Sequence, residues 1–148
     1  MTPTLKGRLQ TRMLLVGLIG LPITLPFCVL AFPFVPMPLL ALLVVWGVGS
    51  ALDPLYDWLQ RRRWDHDWPV WAQVLAGITE GLLAFVLLSP LTLLNPLFLL
   101  LYPAHYVCVW GAMFLLLQGP IQVLLPRWRF QGGEFTARRK AMGRSKHR

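Results

Sequence analysis

Four long apolar runs, separated by short polar or proline-rich stretches, dominate the pattern of this chain. A helix needs roughly 20 mostly apolar residues to cross the hydrocarbon core of a bilayer. The runs therefore predict membrane spans at about residues 13–31, 38–59, 70–88 and 97–117. The expected fold is an all-α membrane protein with four transmembrane helices.

The connections at residues 32–38 and 89–96 contain several prolines and no charged residue. Proline lacks the backbone N–H that a helix interior needs, so both stretches are predicted to be tight turns. They join the first span to the second and the third to the fourth. We therefore expect two helical hairpins.

All fourteen Lys and Arg residues lie outside the four apolar runs. Loops that are rich in Lys and Arg stay on the cytoplasmic side of a membrane. This pattern predicts a cytoplasmic N-terminus at residues 1–12, a cytoplasmic loop near residues 60–69 and a cytoplasmic tail at residues 126–148, around a transmembrane domain at residues 13–125. The basic residues expected to contact lipid or a partner are Arg61, Arg62, Arg63, Arg127, Arg129, Arg138, Arg139 and Lys140.

Composition supports a membrane as the surroundings of the chain. Of its 148 residues, 56% are hydrophobic and 14% are charged, whereas a soluble domain carries roughly 25% charged residues. The net charge of +8 would suit nucleic acid, but the apolar bulk favours anionic lipid headgroups as the partner. We expect a multi-pass protein of the bacterial plasma (inner) membrane or an equivalent internal membrane.

The pair Asp53-Pro54 leaves two interpretations of the second span open. Asp caps helix starts and Pro suits a first helical turn, so the membrane helix could end near Leu52 and an interfacial helix could follow from Leu55 to Arg63. Alternatively, one helix continues through to the arginines. In both interpretations we expect Asp53 to support a helix end rather than to act catalytically.

Small residues form stripes along the first and third spans. Membrane helices associate through close packing, and small residues let their backbones approach. These faces form either the internal seam of a four-helix bundle or a docking surface for a partner subunit. The helix-docking residues of this prediction are Gly17, Gly20, Thr24, Gly77, Gly81 and Ala84.

Glu80 is the most unusual residue of the spans, because it lies about ten positions into the third one. An ionisable group at that depth costs roughly 2.5–3.5 kcal/mol unless it is paired or neutralised. His105 lies at comparable depth in the fourth span, and a Glu80–His105 pair would form a proton-accepting or cation-binding site. The same residues also fit a polar clasp between helices, or a contact with a partner. Gln73 is a further intramembrane polar candidate.

The sequence contains no recognisable catalytic or metal-binding pattern. The run Asp65-His66-Asp67 offers three metal ligands, but adjacent residues rarely converge on one ion. No phosphate-binding loop, nucleophile elbow or paired-His zinc helix is present. We therefore assign no catalytic residue, no metal and no cofactor, and we expect a non-enzymatic protein.

The segment that follows the fourth span alternates around Gly132-Gly133 at residues 127–136, a weak hairpin signal. Beyond it, the basic tail is expected to associate with lipid. Four tryptophans that flank the basic groups are expected at the membrane interface, namely Trp58, Trp64, Trp68 and Trp128.

The sequence contains many small residues suited to helix docking and many clustered basic residues, but no arrangement of catalytic residues. Our leading hypothesis is a non-enzymatic integral membrane subunit of a larger complex, an anchor, scaffold or assembly component. It would dock other membrane proteins through its small-residue faces and its basic cytoplasmic surface, and no nucleic acid partner is expected. The alternative is a small oligomeric proton- or cation-linked transporter or channel that uses Glu80 and His105. A homo-oligomer is compatible with either.

Overall fold

The computed structural model describes residues 3–32, 36–64, 66–90 and 96–134, and within them the regular structure is helical. The long helices are α1 (Leu5–Leu30), α2 (Met37–Arg62), α3 (Val70–Leu88) and α4 (Phe98–Gln118), followed by the short helices α5 (Pro120–Leu124) and α6 (Pro126–Phe130). Four helical stretches are long and apolar enough to cross a membrane, the last of them running from Phe98 to Leu124. The prediction of a multi-pass, all-helical membrane protein is therefore confirmed by helix length and composition. Residues 33–35 and 91–95 of the predicted turns lie outside the described residues.

The helices form a bundle in which α2 is central. It contacts each of the other three long helices, and α4 also packs against α1 and α3. One buried apolar cluster joins α2, α3 and α4. Its members are Met37, Ala41, Ala84, Leu88, Phe98 and Tyr102.

Helix α1 begins at Leu5, well before the predicted start of the first span at residue 13. Thr4 caps it, because its hydroxyl accepts a hydrogen bond from the Gly7 amide at 3.0 Å. Most of the N-terminal segment that the sequence pattern assigns to the cytoplasm, residues 1–12, is therefore helical. Within this helix, the side chains of Arg8 and Arg12 bond to α2.

Helix α1 contains a π-helical segment at Val16–Gly20. Pro22 lies two residues beyond its end, and a proline disrupts the preceding turn because its ring clashes with the carbonyl four residues before it. The wider π-helical turn contains one extra residue. The buried positions of α1 are therefore five residues apart across this turn and four residues apart elsewhere. These positions, the buried stripe of α1, are Gly7, Thr11, Leu15, Gly20, Thr24 and Cys28.

Helix α2 runs without interruption through Asp53-Pro54, as in the second interpretation of the sequence. Pro54 cannot donate a backbone hydrogen bond, but neighbouring groups can compensate for such a loss in membrane helices. Asp53 is 1% exposed and faces the bundle rather than capping a helix start. Near the end of α2, Arg61 pairs with Asp57 at 2.7 Å.

Close packing of α3 against α4 depends on two glycines. The Tyr106 ring lies against Gly81, where an added Cβ would stand 2.5 Å from it, and Trp110 lies against Gly77. The hydroxyls of Tyr102 and Tyr106 donate hydrogen bonds to the carbonyls of Gly81 and Gly77. Two aromatic side chains thus lie directly on the backbone of α3.

The segment after α5 folds back onto the start of α1. In place of the predicted hairpin, residues 126–130 form α6, and Gly132 and Gly133 turn the chain with φ of 63° and 82°. The Thr4 amide donates to the Gly132 carbonyl at 2.9 Å. Trp128 is 4% exposed and donates to the Thr11 hydroxyl, so it packs inside rather than at the membrane interface.

We predict that Gly81→Ala lowers the stability of the folded bundle by about 1–3 kcal/mol, because the new methyl group has to displace the Tyr106 ring. Thermal unfolding of the purified protein in detergent measures this. Gly47→Ala is the matched control, because nothing lies within 4 Å of a Cβ at that position. It should leave stability unchanged, or raise it by up to about 1 kcal/mol through helix propensity. Equal unfolding temperatures for the two variants would contradict the packing described above.

Candidate functional site

A buried ionic cluster links three of the long helices. Arg12 of α1 lies between Asp53 of α2 and Glu80 of α3. Their side chains are 18%, 2% and 6% exposed, respectively. At 1.5 Å per residue, each lies about 10–15 Å along its helix from the end where α1 begins. The cluster is therefore a single polar layer inside the membrane-spanning bundle.

The Arg12 guanidinium binds both carboxylates through two hydrogen bonds each. Nε and Nη2 donate to Asp53 Oδ2 and Oδ1 at 3.2 and 3.0 Å. Nη1 and Nη2 donate to Glu80 Oε2 and Oε1 at 2.7 and 2.8 Å. The planar fork of arginine suits such two-point binding, which the single ammonium group of lysine cannot reproduce.

Gly49 provides the space in which this cluster forms. It lies one turn before Asp53 on the same face of α2 and is buried. A Cβ at this position would overlap Arg12 Nη1 and stand 2.7 Å from Glu80 Oε2. Any larger residue would therefore push the guanidinium away from its partners.

Further polar contacts lie between the ionic cluster and the end of the bundle where α1 begins. Arg8 donates from Nη2 to Gln60 Oε1 at 2.7 Å, and its guanidinium carbon lies 4.4 Å from the centre of the Trp68 ring. Gln60 in turn donates to the His66 carbonyl at 2.9 Å. The end of the bundle where these residues meet Thr4 and the turn at residues 132–133 is called the basic end below.

A cavity of about 300 Å³ opens between α1, α3 and α4 and reaches the ionic cluster. Its polar lining includes Arg8, Arg12, Asp53, Asp67 and Glu80. Its aromatic lining consists of Tyr56, Trp68, Trp110, Phe114 and Trp128. The charged groups of the cluster are thus accessible from an internal space as well as being paired with each other.

Gln73 belongs to a row of amides along one wall of this cavity. Gln118 donates to Gln73 at 2.7 Å, and Gln122 donates to Gln118 at 3.2 Å. The row joins α3, α4 and α5. Of the three predicted intramembrane polar residues, Gln73 and Glu80 therefore line the same cavity.

His105 has a different environment from Glu80. Its Nε2 lies 2.8 Å from the oxygen of the Thr24 hydroxyl, whose hydrogen is donated to the Gly20 carbonyl. The Phe27 ring packs edge-on against the His105 ring, with 5.1 Å between the ring centres. Glu80 is bound by Arg12 instead. The structure thus gives each member of the expected Glu80–His105 pair another partner, because α1 inserts polar side chains against both α3 and α4.

Most of the predicted helix-docking residues face other parts of this chain. Gly20 packs on Leu42, Ala84 is fully buried in the core, and Gly77 and Gly81 accommodate aromatic rings. Gly17 is the exception and faces open space, because the π-helical segment rotates it away from the buried stripe. These small residues therefore form an internal seam, apart from Gly17.

The structure describes the side chains of four of the predicted basic contact residues, and these four lie at the basic end or in the segment that follows α5. Arg61, Arg62 and Arg127 are exposed, and Arg63 is partly exposed. The side chain of Arg129 and residues Arg138, Arg139 and Lys140 lie outside the described part of the chain. Asp65 of the Asp65-His66-Asp67 run also lies outside it, and in the described ranges no group of three His, Cys, Asp or Glu side chains converges as a metal site would require.

Sequence reasoning missed Arg12 and Asp53 as members of the site. The sequence pattern places Arg12 in the cytoplasmic N-terminus because it precedes the first apolar run, and it places Asp53 at a helix end because proline follows it. One signal was present in the pattern. Gly49 and Asp53 are four residues apart and lie on the same face of α2. The missing side chain of Gly49 therefore leaves room for another group beside the Asp53 carboxylate.

Comparisons with protein families, with curated proteins and with solved structures find no significant match to this chain.

We predict that Arg12→Gln destabilises the bundle by about 3–5 kcal/mol, because it leaves two buried carboxylates without a cation. Urea or thermal unfolding in detergent measures the loss. Arg61→Gln is the control, because it breaks an exposed ion pair worth about 1 kcal/mol or less.

Adding Asp53→Asn and Glu80→Gln to the Arg12→Gln variant should restore part of the stability, since the unpaired charges are then removed. A loss for Arg12→Gln no larger than that for Arg61→Gln would show that the cluster does not hold the helices together.

Proposed function

We propose that this chain is a non-enzymatic integral membrane subunit of a larger complex. The ionic cluster holds its helices together, and the basic end contacts partner proteins and anionic lipid. In this proposal the basic end faces the cytoplasm of a bacterial or equivalent internal membrane, and the spans form two hairpins with both termini inside. The observation that carries the proposal is the convergence of three separate chain segments at the basic end.

Hydrogen bonds tie these segments to one another. The residue before α1, Thr4, bonds to Gly132 and also donates to Glu134 at 2.8 Å. Arg8 bonds to Gln60 near the end of α2, and Gln60 bonds to the loop at His66. The start of α1, which carries Arg8, and the end of α2, which carries Arg61 and Arg62, therefore lie at the same end of the bundle, which supports the proposal that the positive charge stays on one side of the membrane.

Tryptophan accompanies arginine on this surface. The Arg62 guanidinium lies 3.9 Å from the centre of the Trp58 ring, and that of Arg63 lies 5.6 Å from Trp71. Trp64, which lies between Trp58 and Trp71 in the sequence, is 91% exposed. Tryptophan prefers the headgroup region, and arginine near the membrane surface is attracted to anionic lipid. The composition of the basic end therefore suits the lipid interface that this proposal assigns to it.

Two exposed glycines on the outer surface of the bundle could accommodate a helix of a partner protein packed alongside in the membrane. Gly17 of α1 and Gly47 of α2 are exposed, with nothing within 4 Å of the position of a Cβ. Such positions let another backbone approach closely, which is how membrane helices associate. A docking role for Gly17 remains part of the proposal, whereas the other small residues of that stripe pack internally.

We predict that gentle detergent extraction from native membranes recovers this protein with stoichiometric membrane partners, identified by mass spectrometry. Gly17→Leu should reduce partner recovery several-fold, because a larger side chain blocks close helix approach without disturbing the fold. The matched control is Leu25→Phe, also on the exposed surface of α1, which should retain the partners.

A reporter that is active only in the cytoplasm, fused after Arg148, checks the orientation in the same cells. Recovery of a pure monomer or homo-oligomer with nothing bound would contradict the subunit role. An inactive reporter would contradict the orientation.

The cavity favours a second function, transport of a proton or a cation. A carrier needs a route from one side of the membrane to an ionisable group inside the spans, and the cavity extends from Pro3 and Gly133 inward to Glu80. His105 does not line it. This alternative therefore depends on Glu80 and on release of its bonds to Arg12.

For the transport alternative, we predict that Glu80→Gln abolishes proton or cation flux into reconstituted vesicles. Asp57→Asn is the control, because Asp57 pairs with Arg61 outside the cavity, and this variant should keep full flux. Undiminished flux in Glu80→Gln would overturn the Glu80 mechanism. Absence of flux in the unmutated protein would overturn transport as a class and leave the subunit role.

A further inference from the structure

We propose that the cavity between α1, α3 and α4 is a binding site for a small organic cation, such as a quaternary ammonium compound. This inference goes beyond the subunit role, which requires nothing in the cavity. It stands on three properties of the cavity, namely its size, the balance of charges in its lining and the aromatic side chains in its wall.

The cavity is large enough for a small organic molecule. Its volume of about 300 Å³ lies at the lower end of the range of roughly 300–1,000 Å³ that is usual for ligand sites. Along α3 it extends from Val70 to Glu80, which corresponds to about 15 Å at 1.5 Å per residue. A ligand that enters from the basic end would therefore reach the depth of the ionic cluster.

The charges in the lining favour a positive ligand. Two arginines, Arg8 and Arg12, face three carboxylates, those of Asp53, Asp67 and Glu80. Counted over these five side chains, the lining has one more negative than positive formal charge, and two of the carboxylates, those of Asp53 and Glu80, are buried inside the bundle. A cation in the cavity reduces that excess, whereas an anion increases it, and interactions between charges strengthen as the local dielectric constant falls.

Aromatic side chains form part of the cavity wall. Five of the lining residues are Tyr, Trp or Phe, and ring faces attract cations, most strongly when water is excluded. The structure already contains one such contact, because the Arg8 guanidinium carbon lies 4.4 Å from the centre of the Trp68 ring. Quaternary ammonium groups are bound by aromatic side chains in the same way.

The amide row determines which other groups such a ligand can carry. Gln73, Gln118 and Gln122 line the wall and are bonded to one another. Amide groups donate and accept hydrogen bonds, so they suit a ligand with a hydroxyl or carbonyl beside its cationic group. Choline, which combines a trimethylammonium group with a hydroxyl, is therefore a suitable probe.

The test is equilibrium binding of radiolabelled choline to the purified full-length protein in detergent. Its neutral isostere 3,3-dimethylbutan-1-ol, which has the same shape without the charge, serves as competitor. We expect saturable choline binding and competition that is weaker for the isostere than for unlabelled choline by about tenfold or more. Equal competition by the isostere would overturn the inference that the site selects a cation. Absence of saturable binding at millimolar choline would overturn the site itself.

A cavity-filling variant locates the binding. Ala76 lines the cavity, and Ala76→Leu fills part of it without removing any charge. We expect this variant to weaken choline binding by about tenfold or more. Ala51→Leu, at an exposed position of α2, should bind normally. Thermal unfolding confirms that both variants are folded.

Unchanged choline binding in folded Ala76→Leu would place the ligand elsewhere and overturn the proposal. Because the assay uses the isolated protein, its outcome does not depend on whether partner subunits are recovered from membranes.

Discussion

The pairing of one buried guanidinium with two carboxylates is the constraint to which the rest of the bundle conforms. Arg12, Asp53 and Glu80 come from three helices, and each would be costly in the membrane interior without the others. For Arg12 to reach both partners, α1 has to begin early enough to carry it into the bundle. Gly49 has to lack a side chain, because any Cβ there would occupy the position of the guanidinium.

The same constraint connects the cluster with the surface where the chain ends meet. Arg8 lies one turn before Arg12 on α1 and bonds to Gln60 of α2, so the alignment that pairs Arg12 also brings the helix ends together. The segment from α6 to the following turn then covers the start of α1 through Thr11 and Trp128. In our proposals the basic end contacts partners and the cavity binds a ligand, and the two regions share Arg8 and Trp68.

Much of the architecture could be predicted from sequence, because span length, apolar content and the grouping of basic residues are local properties. The third span at residues 70–88 agrees with α3, and the fourth differs from α4 by one residue at each end. Tertiary contacts decided what local signals left open or gave wrongly. Of the two interpretations of Asp53-Pro54, the structure has the continuous helix, with Pro54 inside α2. Residues 126–130 are helical where the Gly-Gly pair suggested a hairpin.

The sequence alone determined that this is a membrane protein with four spans, since hydropathy and helix length decide whether a segment can cross a bilayer. It also identified Glu80 as the residue that most needs a partner. Only the tertiary structure decided that the partner is Arg12, because the contact joins residues 68 positions apart and depends on the rotation and register of whole helices. His105, at a similar depth, pairs with Thr24 for the same reason. Pattern along a chain reports which residues are costly to bury, whereas helix packing determines how they are paired.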